Sequence, residues 1–184
     1  LAYQKVDYLG VAFTDEGIAL RQNKIDTRIL VLNPESTSFS AIINHCLEPE
    51  IYCLKGLRLF IKTAKEKKVK HYPIHIKLDT GMHRLGFDSE DLPEMINILK
   101  NQEWVEVRSI LSHLATSDSQ NKTFANQQIN LFKTLTEKIE TELGNTFIKH
   151  ILNTSGISNF PKAQFDMVRL GIGLYGVSND PTEQ

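Results

Sequence analysis

The chain has 184 residues, 41% hydrophobic and 23% charged, with 21 basic against 22 acidic residues for a formal charge of −1. That length suits one domain with a sizeable core, and the balanced charge gives no electrostatic case for nucleic acid or an anionic membrane. Cys46 and Cys53 sit without a partner pattern for zinc, so no metal is expected; they fit a reduced, cytoplasmic protein in which both thiols pack as small hydrophobes.

Short apolar strands alternate with longer helical patterns from the first residues on. Leu1 to Lys5 carry no signal-peptide layout. Tyr8 to Phe13 reads as a buried strand and Asp15 to Arg21 as a helix with Asp15 or Thr14 as its N-cap. Arg28 to Leu32 is a second strand, closed by Asn33-Pro34. Ser40 to Leu47 is helical and Glu50 to Cys53 a weaker strand. Gly56 to Lys68 carries Leu57, Phe60, Ile61 and Ala64 at the spacing of one buried stripe. Its end, Lys65 to Lys70, is a basic cluster interrupted by Glu66 and reads as a solvated face.

Ile74 to Leu78 is the next strand. Asp91 to Lys100 is a helix with Leu92, Met95, Ile96 and Leu99 on one face. Val105 to Leu111 forms a strand ending near Ser112-His113, and a long helix runs from about Phe124 to Leu143, stopped by Gly144. Lys149 to Leu152 is a strand, and Met167 to Gly176 contains the last one. No apolar run approaches the roughly 18 residues of a membrane span.

Alternation of this kind means parallel strands joined by crossovers. About seven strands are expected, one short of a closed (β/α)8 barrel of the TIM type, with the first strand missing. Residues 1–177 would form this partial domain and residues 178–184 a polar tail. An open doubly wound sheet is the alternative, but Gly171-Ile172-Gly173 lacks the third glycine and following helix of a dinucleotide turn.

Polar residues recur where strands should end, which in a barrel puts them on one face. Arg84, His113, Asn153-Thr154-Ser155 and Arg169 with Gly171 hold those places. Each has a plain structural reading: a surface ion pair for Arg84, a satisfied histidine for His113, a turn or N-cap for Asn153 to Gly156. Lys77 lies inside an apolar strand, where burial without a partner is costly, so it needs a counter-charge or a change that removes its own.

Taken together, several of these stretches resemble alanine racemases, enzymes dependent on pyridoxal 5'-phosphate (PLP). They are His75 to Phe87 with Asp79-Thr80-Gly81-Met82 and Arg84; Ser112 to Asp118 around His113; His150 to Gly156; and Phe165 to Gly176 with Arg169-Leu170-Gly171-Ile172. Gly10-Val11-Ala12 with Glu16, and Ile29 to Leu32, fit the family's early strands, so the likeness covers essentially the whole chain. The resemblance implies that Arg169 faces the pyridine nitrogen, His113 holds Arg169, and Arg84 reaches the phenolic oxygen. It also implies that Thr154 with the amides of Gly171 and Ile172 binds the phosphate, that Asn153 supports the Arg169–His113 pair, and that Lys77 is a candidate for carbamylation. Two departures stand out: Thr154 where serine is usual, and His83 before Arg84 where glycine is common.

The resemblance further implies interconversion of L- and D-alanine for peptidoglycan synthesis by a cytoplasmic homodimer. In the family the PLP lysine belongs to a motif like Lys-Ala-x-Ala-Tyr-Gly, and a tyrosine comes from the partner subunit's second domain. Neither motif is found in these 184 residues; residues 1–7 resemble the end of the family's first helix. The expectation is therefore a barrel segment, truncated at both ends and inactive alone, with two exposed sheet edges. The competing readings are a non-catalytic PLP-binding homeostasis barrel, which also needs its own PLP lysine, and a fold-related decarboxylase, in which an acid would replace Arg169.

Overall fold

A computed structural model describes residues 5–177; the expected polar tail and the first four residues lie outside them. The described elements are β1 (Tyr8–Val11), α1 (Thr14–Gln22), β2 (Arg28–Val31), α2 (Phe39–Asn44), β3 (Glu48–Ile51), α3 (Leu54–Glu66), β4 (Tyr72–Lys77), α4 (Leu92–Lys100), β5 (Val105–Leu111), α5 (Thr123–Leu143), β6 (Ile148–His150) and α6 (Thr154–Asn159). The strands lie side by side in chain order, β1 to β6, and every neighbouring pair is parallel. A doubly wound sheet reverses its strand order at a switch point. This one never does, so it is the incomplete α/β barrel that the strand–helix alternation predicts.

Local chemistry explains most element boundaries. The start of α1 is capped by neither Thr14 nor Asp15: the Glu16 carboxylate accepts from the N–H groups of Ala12 (2.7 Å) and Phe13 (3.0 Å), while the Thr14 hydroxyl lies 2.8 Å from that of Ser38. A carboxylate reaching back across the first turn meets two orphan donors at once. Cys53 caps α3, its sulfur accepting from Gly56 N at 3.4 Å. Cys46 is exposed, contrary to the expectation that both thiols are packed; it occupies the left-handed turn (φ 52°) that ends α2. Leu92, Met95, Ile96 and Leu99 are buried as one stripe of α4, and Gly144 closes α5 in the left-handed conformation at φ 69°.

The helices cover one face of the sheet, where Ile29, Val31, Ile51, Ile74, Ile76 and Ile110 meet Ile42, Leu57, Phe60, Met95 and Phe132 in one core. Side chains alternate along a strand. The opposite face therefore carries Glu48 and Glu50 of β3, His75 and Lys77 of β4, Ser109 of β5 and His150 of β6, all buried. That face is the interior of the incomplete barrel.

The expected last strand differs. Met167 to Gly176 forms no ladder; Ile172–Tyr175 is a short 3-10 turn instead. The segment lies beside β6, with Asp166 N and Met167 N donating to Lys149 O and Arg169 N to Leu152 O. It takes the seventh place, but two adjacent N–H groups on one carbonyl and a third bond to a residue past the end of β6 do not make a ladder, and the two glycines Gly171 and Gly173 favour a turn. Among the described residues no helix is long and apolar enough to cross a membrane, and no group of three or more His, Cys, Asp or Glu could hold a metal ion.

Candidate functional site

Arg169 organises the carboxyl ends of β5 and β6. Its Nη2 donates to Ser112 O (2.6 Å) and Ile151 O (3.2 Å), and its Nη1 to His150 O (3.2 Å) and His150 Nδ1 (2.6 Å). These carbonyls lie at or just past the ends of β5 and β6, where only His150 O also accepts from a neighbouring strand's extension (Ser112 N, 3.2 Å), and a guanidinium with several fixed donors bonds all three together. Burial lowers the Arg169 pKa to about 10, with Glu50 pulling it back up, so the group is a cation at neutral pH. His113 Nδ1 stands 3.5 Å from Arg169 Nη2. Burial and then the charges of Arg169, Arg84 and Lys77 depress the His113 pKa to about 4, which leaves it neutral. Gln128 of α5 fixes the His113 loop, donating to His113 O (3.1 Å) and accepting from Ala115 N (2.9 Å).

Asn153 caps α6: its side chain accepts from Gly156 N at 3.0 Å. Thr154 follows at once, and its hydroxyl accepts from Gly171 N (3.1 Å) and Gly173 N (3.2 Å). The start of α6 and the turn after Arg169 are thereby stitched together. A Cβ at Gly171 would meet only Thr154 Oγ1, at 3.8 Å, whereas one at Gly173 would fall 2.7 Å from Thr154 Cγ2. Gly171 therefore leaves open room and Gly173 permits a close approach. Ile172 begins the 3-10 turn and is exposed.

Arg84 stands exposed in the loop between β4 and α4. Asp79 shapes that loop by accepting from Gly81 N (2.9 Å) and His83 N (3.1 Å). Gly86 (φ +140°) closes it, since a Cβ there would lie 2.3 Å from Asp79 N. His83 occupies the left-handed region at φ 54°, which accounts for the glycine common at this place in the resembling family. Its Nδ1 lies 3.3 Å from Asp79 Oδ2.

Lys77 has the partner that burial demands: its Nζ donates to Glu50 Oε1 at 3.0 Å. Glu50 is wholly buried, and its Oε2 has no hydrogen-bond partner among the described residues. Burial pushes the Glu50 carboxyl up, opposed by Lys77 first and then by Arg169 and Arg84. The structure thus gathers Arg169, His113, Thr154 and Gly171 around the ends of β5 and β6. Arg84 sits on the adjoining loop, and Asn153 acts as a cap, while the hydrogen-bond partners of the Arg169 guanidinium are His150, Ser112, His113 and Ile151.

Sequence reading missed Glu50 and His150. Each is followed by a buried isoleucine (Ile51, Ile151), and the signal available was the alternation of Glu48-x-Glu50 and His150 three residues before Asn153.

The comparisons with known proteins agree with this geometry. Residues 1–179 match the family model described as alanine racemase, N-terminal domain. Alanine racemase 2 of Caldanaerobacter subterraneus subsp. tengcongensis is 36% identical over 183 residues, which cover 95% of this chain and 46% of that protein. Among solved structures, alanine racemase of Clostridium difficile 630 superposes with a TM-score of 0.91 at 34% identity, over 98% of this chain and 47% of that one. Alanine racemase of Bartonella henselae, solved with covalently bound pyridoxal phosphate, gives a TM-score of 0.84 at 28% identity, over 98% of this chain and 53% of that one. The chain spans about half the length of the relatives it matches. With a sheet in unbroken parallel order and an arginine seated on its strand ends, this chain belongs to the alanine racemase N-terminal domain family.

Proposed function

We propose that this chain is the barrel portion of a PLP-dependent alanine racemase, an isomerase interconverting L- and D-alanine for peptidoglycan synthesis. The observation that carries the reading is the Arg169 guanidinium held on Ser112 O, His150 O and Ile151 O, directly beside the Thr154–Gly171–Gly173 turn. These residues fit PLP on structural grounds. Gly171 leaves space for a group that a side chain would fill, and Arg169 offers a permanent donor at the strand ends. When bound, PLP supplies the electron-withdrawing ring that makes the Cα proton of alanine removable.

The chain's own residues would bind and orient. Arg169 can donate but not accept, so a ring nitrogen facing it stays unprotonated, which limits electron withdrawal and favours simple return of the proton. Thr154, with the amides of Gly171 and Ile172, would hold the phosphate. Asn153 places Thr154 by capping α6. Arg84, exposed on its loop, would reach the phenolic oxygen. His113, neutral at working pH, would steady Arg169. Lys77 as an ammonium offsets Glu50; as a carbamate it would require Glu50 protonated, the form that burial favours.

The lysine that holds PLP and the tyrosine serving as second base would come from outside these 184 residues, the tyrosine from the partner of a homodimer. A cytoplasmic setting fits the two free thiols. The test is solvent deuterium incorporation at Cα of L-alanine, with PLP added, for this chain beside a version extended at both ends. An inactive short chain and an active long one are expected. Exchange by the short chain, or none by either, would overturn the reading.

A further inference from the structure

The barrel interior holds a row of polar side chains for which the proposed activity gives no role. Tyr8 Oη lies 3.2 Å from Glu48 Oε2, and His75 Nε2 lies 2.8 Å from the same oxygen. His75 Nδ1 is 2.6 Å from Ser109 Oγ, and Ser109 Oγ is 3.0 Å from His150 Nε2. His150 Nδ1 then meets Arg169 Nη1 at 2.6 Å. His75, Ser109 and His150 are wholly buried and Glu48 is 8% exposed, so water does not compete for these bonds.

One arrangement of protons satisfies the row. Arg169 can only donate, so His150 Nδ1 accepts and its ring proton sits on Nε2. That Nε2–H donates to Ser109 Oγ, whose own proton goes to His75 Nδ1. His75 then carries its proton on Nε2 and gives it to the Glu48 carboxylate, which also accepts from the Tyr8 hydroxyl. Each bond starts where the previous one ends, from a cation to an anion. A second proton on His150 would set N–H against guanidinium. One on His75 would leave the Ser109 hydroxyl proton without an acceptor. Burial depresses both histidines, His150 well below the ordinary range with Arg169 as the next cause, and the Glu48 carboxyl is held low by His75 and Tyr8 against its own desolvation.

We infer that Glu48, His75 and Ser109 are positioning residues that lock His150 in one tautomer and thereby fix the guanidinium of Arg169. A donor-only guanidinium at one end and a carboxylate three strands away at the other agree on the direction of every bond in the row, so the acceptor facing Arg169 does not invert. The bearing on turnover rests on the proposed function; the assignment of protons does not.

The test is long-range proton–nitrogen NMR of nitrogen-15-labelled protein near neutral pH. Of the six histidines, His75 and His150 should show an unprotonated Nδ1 and a slowly exchanging proton on Nε2. Ser109→Ala should abolish the slow His150 Hε2 signal and speed exchange of the Arg169 Nη protons, with the backbone amide spectrum otherwise kept. Glu48→Gln should move the His75 Hε2 shift and leave the tautomers in place, because the amide oxygen still accepts. An imidazolium or an Nδ1–H tautomer at either histidine overturns the inference without any variant having to fold. So does a Ser109→Ala spectrum with His150 and Arg169 unchanged. PLP titration of the extended protein, followed by absorbance, separates the two readings: no binding with these tautomers present would sink the proposed function and leave the row standing.

Discussion

Beneath α3, Phe60 packs edge-on against Phe39 with ring centroids 5.0 Å apart and lies 5.7 Å from the ring of Tyr72. On the other face of the same strands, Glu48, His75, Ser109 and His150 follow one another by hydrogen bonds. Both faces are buried, yet they are held by different physics. Dispersion and apolar burial have no direction, so the helix-covered face depends mainly on volume. A hydrogen bond has a donor and an acceptor, so the interior face depends on the order of its members, and removing one orphans the next.

Substitutions should separate the two. Phe60→Ala should cost about 4 kcal/mol by chemical denaturation, and Phe60→Met no more than about 1.5 kcal/mol, because shape loss is the whole effect. Lys77→Met should cost about 3 kcal/mol although it adds apolar surface, since it strands the wholly buried Glu50 carboxylate. Combining it with Glu50→Gln should recover more than half. An equal cost for the single and double variants would show that the pair is not what matters.

Acid should strike the interior face first. His75, His113 and His150 have depressed pKa values in the folded protein, so below the ordinary histidine value of 6.5 the unfolded chain binds protons that the folded one refuses. Stability is then complete above about pH 6.5 and falls as pH drops toward the His113 value of about 4. The slope is at most about 1.4 kcal/mol per pH unit for each histidine. Glu50, raised by burial, works in the opposite sense above the ordinary carboxyl value of 4.5 and shallows the fall. Urea midpoints across this range should show the decline, and Phe60→Met should leave its shape unchanged.

Smaller effects sharpen the contrast. Asn153→Ala should cost about 1 kcal/mol through the lost α6 cap, and Asn153→Asp should restore most of it. Smallest in energy is the state of Lys77: intact mass in bicarbonate should show a larger carbamylated fraction in Glu50→Gln than in the unchanged protein, because the variant removes the competing anion. Equal fractions would mean that Glu50 has no hold on that lysine.

The sequence by itself determined what local periodicity and chain chemistry encode. Short apolar runs marked the six strands now seen, with β3 lying at Glu48–Ile51, two residues before the expected Glu50 to Cys53, and Gly144 marked the end of α5. It also pointed to a barrel with fewer than eight strands. Tertiary structure alone decided the rest. Met167 to Gly176 is expected to contain a strand, but strand formation needs a continuous ladder, and this segment gives β6 only the backbone bond from Met167 N to Lys149 O, with Arg169 N bonding Leu152 beyond it. Asn153 caps α6, because the helix starts at the next residue. The partners in the interior row stand 27, 34 and 41 residues apart. No local pattern brings such residues together; the parallel register of β3 to β6 does, by aiming alternate side chains of successive strands into one enclosed space.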